Sequence, residues 1–365
     1  LKKIIGVDAR PLAYGFTGNS RYLWEALKEI LRQTDTFEFI LYTNKPLHPV
    51  FQEILNHKSI QLAPIYPVMG ILWLNFILPF LLKRDKVHAF WGTLQLLPIF
   101  KLSIPTIVNY HDMNFLSAKQ TMTLLNYWQH KLLSRFTLKN ADKILCLSQN
   151  TQREIHAYRA FTKSKTSVIY PGANRNKIIS KSLNYQNFIL TVGTLEPRKN
   201  FSTLLKAYLK LKEEYPSYPY ALILAGRMGW GDPNLALELK AGKYEDLGVK
   251  FIENPSETEL AYLYHNCIFF VFPSLHEGFG LPLVEAMIEN KCCIASDIPV
   301  FREILDSQND LLVPSLEIDS WKKALLEMAN RKTLIRNPLI SEKDWSWENT
   351  AQKIIQELLE ILYKD

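Results

Sequence analysis

Short apolar runs alternate along the chain with longer segments whose apolar positions recur every three or four residues. In the first half the runs KKIIGVDAR, FEFILYTN, AFWG, TIVNYHD, KILCLS and SVIYPG predict strands. After the first of them, Tyr22, Leu23, Ala26, Leu27 and Ile30 share one face of a helix spanning 19–31. A Gly/Asn/Lys/Ser-rich stretch, PGANRNKIISKSLNYQN, then interrupts the pattern as a linker. The alternation restarts with strands FILTVGT, YALILAG, VKFIE, CIFFVFPS and CCIAS, and with helices over 201–215, 257–265 and 282–290. The second set of strands is apolar on both faces, as a parallel sheet covered by helices on both sides requires. The pattern predicts an α/β chain of two doubly wound units, whose ligands bind beyond the carboxyl ends of the strands and in a cleft between units.

Composition narrows this picture. A chain of 365 residues, 47% of them apolar, suits two domains of about 150–200 residues each. The most apolar stretch, ILWLNFILPFLL from Ile71 to Leu82, contains Asn75 and Pro79 and ends at Lys83-Arg84. It falls short of the about twenty residues a bilayer span needs, and predicts a buried or interfacial helix. No signal peptide is expected ahead of the first strand. Cys146, Cys267, Cys292 and Cys293 include no CxxC pair, which fits a reducing cytoplasmic location. The net charge of +7 is unevenly spread: residues 1–170 hold 21 Lys and Arg against 10 Asp and Glu, a net of +11, and the remainder is −4. Acidic lipid or a phosphorylated acceptor would match that charge, as would a plain solvated basic surface; no nucleic-acid motif accompanies it.

Four segments carry candidate chemistry. In SLHEGFGLPLVEAM (274–287), Glu277 and Glu285 stand either side of a Gly-containing turn that leads from a strand into a helix. Gly278 and Gly280 let backbone N–H groups approach a ligand, and Pro282 suits a first helical turn, placing Glu285 in that turn. Glu277 would accept from sugar hydroxyls and Glu285 would hold a ribose diol; taken singly, either is equally a solvated charge. In TVGTLEPRKN (191–200), Gly193 permits close approach, Asn200 is placed to cap the helix from Phe201, and Arg198 and Lys199 match phosphate oxygens. PLAYGFTGNSRY (11–22) offers Gly15 and Gly18, and YHDMNFL (110–116) puts His111 and Asp112 at a strand end.

Together these segments resemble retaining glycosyltransferase family 4, with its E-x7-E signature and GT-B fold: two Rossmann-like doubly wound domains facing across a cleft. AGRMGW, PSETELAYLY, SDIPVFREI and WSWENTA extend the resemblance over nearly the whole chain. It implies an acceptor-side domain over 1–172, a donor domain over 183–348, and a last helix near 349–365 that packs back on the first domain. It also implies that Gly18, Gly193, Arg198, Lys199, Glu277, Gly278, Phe279, Gly280, Leu281 and Glu285 bind the donor. His111 would contact the donor sugar near its reacting carbon and join Glu277, Arg198 and Lys199 as catalytic groups. Asn19-Ser20 departs from the family, where a second glycine is common.

The resemblance implies a hexosyltransferase of bacterial surface polysaccharide or lipopolysaccharide assembly that takes a nucleotide diphosphate sugar, with GDP-mannose the favoured donor. The acceptor would be a glycan or lipid-diphosphate-linked glycan, reached peripherally at the inner face of an anionic membrane. No cofactor and no metal are expected, since no DxD-like pair is placed to hold an ion. Domain closure around the donor is expected. Both a double displacement and a same-face attack remain open. The alternatives are a nucleotide-sugar epimerase or hydrolase of the same fold, or a non-catalytic glycan or lipid-surface binding protein. HEGFG is no zinc-protease motif, because position 280 is Gly rather than His.

Overall fold

Among the described residues, thirteen strands form two separate all-parallel sheets, and each sheet belongs to its own compact unit. The computed structural model describes every residue except 1, 118–121, 123, 175–184, 332, 333, 335, 337–344, 364 and 365. Most of the proposed linker falls in 175–184 and so lies outside the described residues. One unit comprises Leu1–Leu116, Met122–Gly172 and Lys343–Asp365; the other comprises Ser117–Thr121 and Ala173–Glu342.

The first sheet contains β1 (Lys3–Asp8), β2 (Phe37–Tyr42), β3 (Ile60–Leu62), β4 (Ala89–Gly92), β5 (Thr106–Tyr110), β6 (Lys143–Cys146) and β7 (Thr166–Val168), in the order β3-β2-β1-β4-β5-β6-β7. The second contains β8 (Phe188–Val192), β9 (Ala221–Gly226), β10 (Val249–Glu253), β11 (Phe270–Phe272), β12 (Cys293–Ser296) and β13 (Leu311–Val313), in the order β10-β9-β8-β11-β12-β13. Each order reverses direction once, beside β1 in the first sheet and beside β8 in the second. The crevice at that switch point is where doubly wound sheets hold ligands. The central strands β8 and β11 are buried along their whole length, which accounts for their unbroken apolar runs. The edge strands β3 and β13 are three residues each and escape the apolar pattern for that reason.

The apolar stretch near Ile71 is a continuous helical segment, Gly70–Leu72, a π-turn at Trp73–Ile77, and Leu78–Arg84. The widened turn ends just before Pro79, where an ordinary helical turn would meet the proline ring. Trp73, Leu74, Leu78 and Leu81 enter the first unit's core.

The last helix, Trp347–Leu362, begins with Ser346 accepting from the Asn349 N–H as its cap. Trp347, Ala351, Ile354 and Leu358 recur on one buried face. Trp347 packs edge-on against Tyr22 at 5.8 Å, and Lys143 reaches Glu357 and Glu360 at 2.7 and 2.6 Å. The helix thus belongs to the first unit although it is encoded after the second. Its N-terminus lies directly on Gly172: a Cβ there would stand 2.2 Å from the Trp347 nitrogen. Gly172→Ala is therefore expected to shift the helix start and cost about 1–3 kcal/mol, seen as an earlier melting transition by calorimetry. An unchanged melt would show that the helix seats elsewhere.

Candidate active site

The two strongest sequence motifs lie about eighty residues apart and converge because β8 and β11 are neighbours at the switch point. The turn after β8 carries Gly193 through Asn200 and closes with a single 3-10 turn, Pro197–Lys199. The loop after β11 carries Ser274 through Gly280. Leu275 N–H donates to the Arg198 carbonyl at 2.8 Å, which fastens one loop to the other.

Glu277 lies at the centre. Its Oε1 accepts from Lys199 Nζ at 2.6 Å and its Oε2 from Arg198 Nη1 at 2.7 Å. Arg198 also donates from Nη1 to the His276 carbonyl at 3.0 Å and from Nη2 to Glu196 Oε1 at 2.8 Å. Two carboxylates and two cations thus form a cluster with no net charge. Its side chains are mostly withdrawn from water, with Arg198 and Glu196 the more open at 20% each. Burial pushes the Glu277 carboxyl up, but the Arg198 and Lys199 charges outweigh it and hold the group at about 2. Burial pulls the Lys199 ammonium below its usual range, against the attraction of Glu277.

Gly193 packs on the Lys199 stem, where a Cβ would stand 3.3 Å from Cδ, so its small size seats the lysine. Gly280 has φ +107 and opens the helix Leu281–Ile288; a Cβ there would meet the Phe301 ring at 2.9 Å. Phe279 is buried, and Gly278 with it. Leu281 and Pro282 occupy the first two helical positions, so Glu285 is the fifth residue of the helix, half-buried. It therefore sits in the second turn, not the first, because the helix starts at Leu281.

Asn200 corrects a second expectation. Its backbone is left-handed, φ 54, and its side chain does not cap the following helix. Instead Asn200 Nδ2 donates to the carbonyls of Pro273 and Ser315 at 3.1 and 2.7 Å, while Oδ1 accepts from Thr203 Oγ1. It ties three loops of the unit together beneath the cation pair.

In the first unit, His111 follows β5 and Arg10 follows β1. His111 Nε2 lies 2.7 Å from the Thr93 carbonyl, which only accepts, so Nε2 carries the proton and Nδ1 of the neutral ring is a bare acceptor. Burial lowers the His111 pKa below its ordinary value, against the pull of Thr93 and Asp112, and favours that neutral form. His111 lines a cavity of about 290 Å³ with Arg10, Asn19, Gln95, Asp112 and His130. Arg10 is held by Asp8 through Nη2 at 2.6 Å and Nε at 2.8 Å. Gly18 is exposed at the start of the helix Gly18–Gln33, with no atom near its missing Cβ, while Thr17 and Ser20 form a reciprocal cap. Ser20, one of the Asn19-Ser20 pair that departs from the family pattern, thus holds the helix start. Sequence reasoning missed Arg10, Asn19 and Glu196; the cation in DAR at the end of β1 was the available signal for the first.

A doubly wound pair of units with a carboxylate and two cations at one switch point has the architecture of a GT-B enzyme. Residues 16–177 match the family described as Glycosyltransferase Family 4, and residues 174–351 that described as Glycosyl transferases group 1. The chain is 30% identical over 286 residues to an uncharacterized glycosyltransferase of Methanocaldococcus jannaschii, covering 75% of this chain and 76% of that one. It is 31% identical over 255 residues to the O-antigen chain mannosyltransferase RfbU of Salmonella typhimurium, covering 66% and 69%. Among solved structures, Anabaena Alr3699/HepE in complex with UDP and glucose superposes with a TM-score of 0.71 over 98% of this chain and 100% of that one, at 17% identity. The chain belongs to glycosyltransferase family 4, and it is a glycosyltransferase.

The depressed Glu277 pKa has a testable consequence. Its folded value, about 2, lies below the ordinary 4.5. The ionised form therefore adds stability in full above pH 4.5, on the order of 3 kcal/mol, and this is lost as pH falls from about 4.5 to about 2. Melting temperatures of wild type and Glu277→Gln across this window are expected to converge toward the acid end. Parallel curves would show that Glu277 is not the group responsible.

Proposed function

We propose that this glycosyltransferase moves mannose from GDP-mannose, with retention of anomeric configuration, onto a lipid-diphosphate-linked glycan during surface polysaccharide synthesis. The observation that carries the reading is the Glu277–Arg198–Lys199 cluster at the second sheet's switch point. Arg198 and Lys199 take the charge that develops on the departing diphosphate. Glu277, both of whose oxygens already bind cations, keeps lone pairs for sugar hydroxyls and serves to orient the sugar. Glu285 holds the ribose, and backbone N–H groups at the start of the helix Leu281–Ile288 face the phosphates. His111 offers its bare Nδ1 to a sugar hydroxyl. The choice of mannose and of a polysaccharide acceptor is supported by the likeness to the O-antigen mannosyltransferase. The basic charge of residues 1–170 supports an anionic acceptor at the cytoplasmic face of a membrane. No metal ion is needed in this scheme, because the two cations occupy its place at the diphosphate.

Thermal stabilisation by GDP, UDP, ADP and dTDP, alone and as sugar conjugates, tests the donor. GDP-mannose at about one hundred times its dissociation constant is expected to add on the order of 2.7 kcal/mol. The increment due to the sugar should disappear in Glu277→Gln. A UDP-sugar standing out instead would replace mannose in the proposal, and no shift with any nucleotide would refute the donor site. Arg198→Ala is expected to lower kcat by about a hundredfold, while chelation with EDTA leaves wild-type turnover unchanged. Loss of turnover in EDTA would overturn the metal-free scheme.

A further inference from the structure

His111 is pinned at one atom by a hydrogen bond, and a second constraint is needed to fix the plane of its ring. Nε2 donates to the Thr93 carbonyl at 2.7 Å, and the Thr93 hydroxyl donates to the Asp8 carbonyl at the end of β1. A single bond of this kind leaves an imidazole free to rock about it. Tyr22 removes that freedom. The two rings stand nearly perpendicular, 89° between their planes, with centroids 6.0 Å apart. This is the edge-to-face arrangement that aromatic rings favour. Tyr22 lies on the helix Gly18–Gln33 and is 1% exposed. Its hydroxyl, buried beside Asn109, makes no hydrogen bond of ordinary length and angle among the described residues. The side chain therefore acts by the packing of its ring.

Tyr22 is itself braced. Trp347, the first residue of the last helix, meets it with ring centroids 5.8 Å apart and 70° between planes. Trp347 has little room to move, because its backbone nitrogen lies against Gly172. Thr350 Oγ1, close by on the same helix, donates to the Tyr170 carbonyl at 2.8 Å. The main body of the first unit ends at Gly172, and its chain resumes at Lys343. The departing and returning segments thus meet at Trp347, and Tyr22 touches both Trp347 and His111. Residues 22, 111 and 347, far apart in sequence, form one column of rings inside the unit.

We propose that Tyr22 is a positioning residue: its ring, braced by Trp347, holds the His111 imidazole so that Nε2 stays on Thr93 and Nδ1 is left open to the cavity. Turnover then depends on the seating of the last helix, although His111 and not that helix lines the cavity. That Nδ1 receives a sugar hydroxyl rests on the reading above; the hold of Tyr22 on the ring does not.

Ring-nitrogen NMR of the histidine-labelled full chain, with His111→Gln identifying the His111 signals, tests the proposal. Wild type is expected to show one tautomer, with Nε2 protonated and Nδ1 bare. Tyr22→Phe, which keeps the ring, should show the same. Tyr22→Leu should bring the two nitrogen signals together as the tautomers mix, and Trp347→Leu should do so to a smaller extent. With GDP-mannose and a soluble short-chain lipid-diphosphate glycan, Tyr22→Leu is expected to lower kcat roughly tenfold, with the donor KM within about twofold of wild type. Tyr22→Phe should restore kcat. The melting shift produced by GDP should be the same in all of these proteins. If Tyr22→Leu does not fold, Trp347→Leu carries the comparison alone. Wild-type nitrogen signals in the folded leucine variants, or a Tyr22→Phe protein as impaired as Tyr22→Leu, would each overturn the proposal. Should His111→Gln turn over as wild type does, the sugar contact falls, while the nitrogen signals still decide the role of Tyr22.

Discussion

Placing Glu277 between Arg198 and Lys199 sets the terms for the whole carboxyl edge of the second sheet. Three charges are largely withdrawn from water there, which is unfavourable unless each is paired and hydrogen-bonded. The geometry meets that demand with two short bonds to the one carboxylate and further bonds from Arg198 to Glu196 and to the His276 carbonyl. Removing the carboxylate would leave two cations facing each other. The same bonds hold the turn after β8 to the loop after β11, so site geometry and loop geometry are one constraint. A diphosphate arriving here meets a cluster that is already neutral. In the donor reading proposed above it would share the cations with Glu277 rather than fill an open positive pocket, and a ligand whose sugar also engages Glu277 would be favoured over a bare nucleotide.

The first unit repeats the theme at its own switch point. Arg10 stands at the end of β1 as Arg198 and Lys199 stand beyond β8, and Asp8 neutralises it as Glu277 and Glu196 together neutralise them. In both units a parallel sheet leaves its strand ends pointing at one crevice, and a cation placed there needs a carboxylate partner until a ligand comes. The partner differs in origin. Asp8 lies two residues from Arg10, a local contact, whereas Glu277 comes from a different strand. In the second cluster it is therefore the carboxylate that couples two loops.

Much of this was legible in the sequence because its physical signals are local and periodic. The central strands announced themselves as unbroken apolar runs, and Glu277, Arg198 and Lys199 stood in glycine-bearing turns beyond strand ends. What was illegible depended on contacts distant in sequence. Asn200 sits where a capping residue belongs, yet its left-handed backbone turns the side chain toward Pro273 and Ser315. Glu285 slipped from the first helical turn to the second because Gly280, not Pro282, marks the helix start. Gly193 looked like room for a ligand, and in the structure that room is occupied by the Lys199 stem. The strands β3 and β13 gave no signal, being too short to show a period. Arg10 gave one that composition around it hid, since its role needs Asp8, Thr93 and His111 to be known as neighbours.

The apolar segment near Ile71 shows how one helix can answer to two environments. A helix apolar all round is ordinarily buried all round, and this one is buried on one side only. Its open side carries Leu72, Phe76 and Phe80, between 46 and 67% exposed. The two faces are also mechanically joined. Trp73, buried opposite the stripe, lies under the Arg10 guanidinium at 5.3 Å, and Arg10 Nη1 reaches the Gly70 carbonyl at 3.5 Å. Arg10 in turn lines both cavities. Trp73 and Gly70 thus tie this helix to the side chain that lines both cavities. A helix kept this close to a polar site has reason to be stiff, and the π-turn ahead of Pro79 lets the chain pass the proline without breaking it.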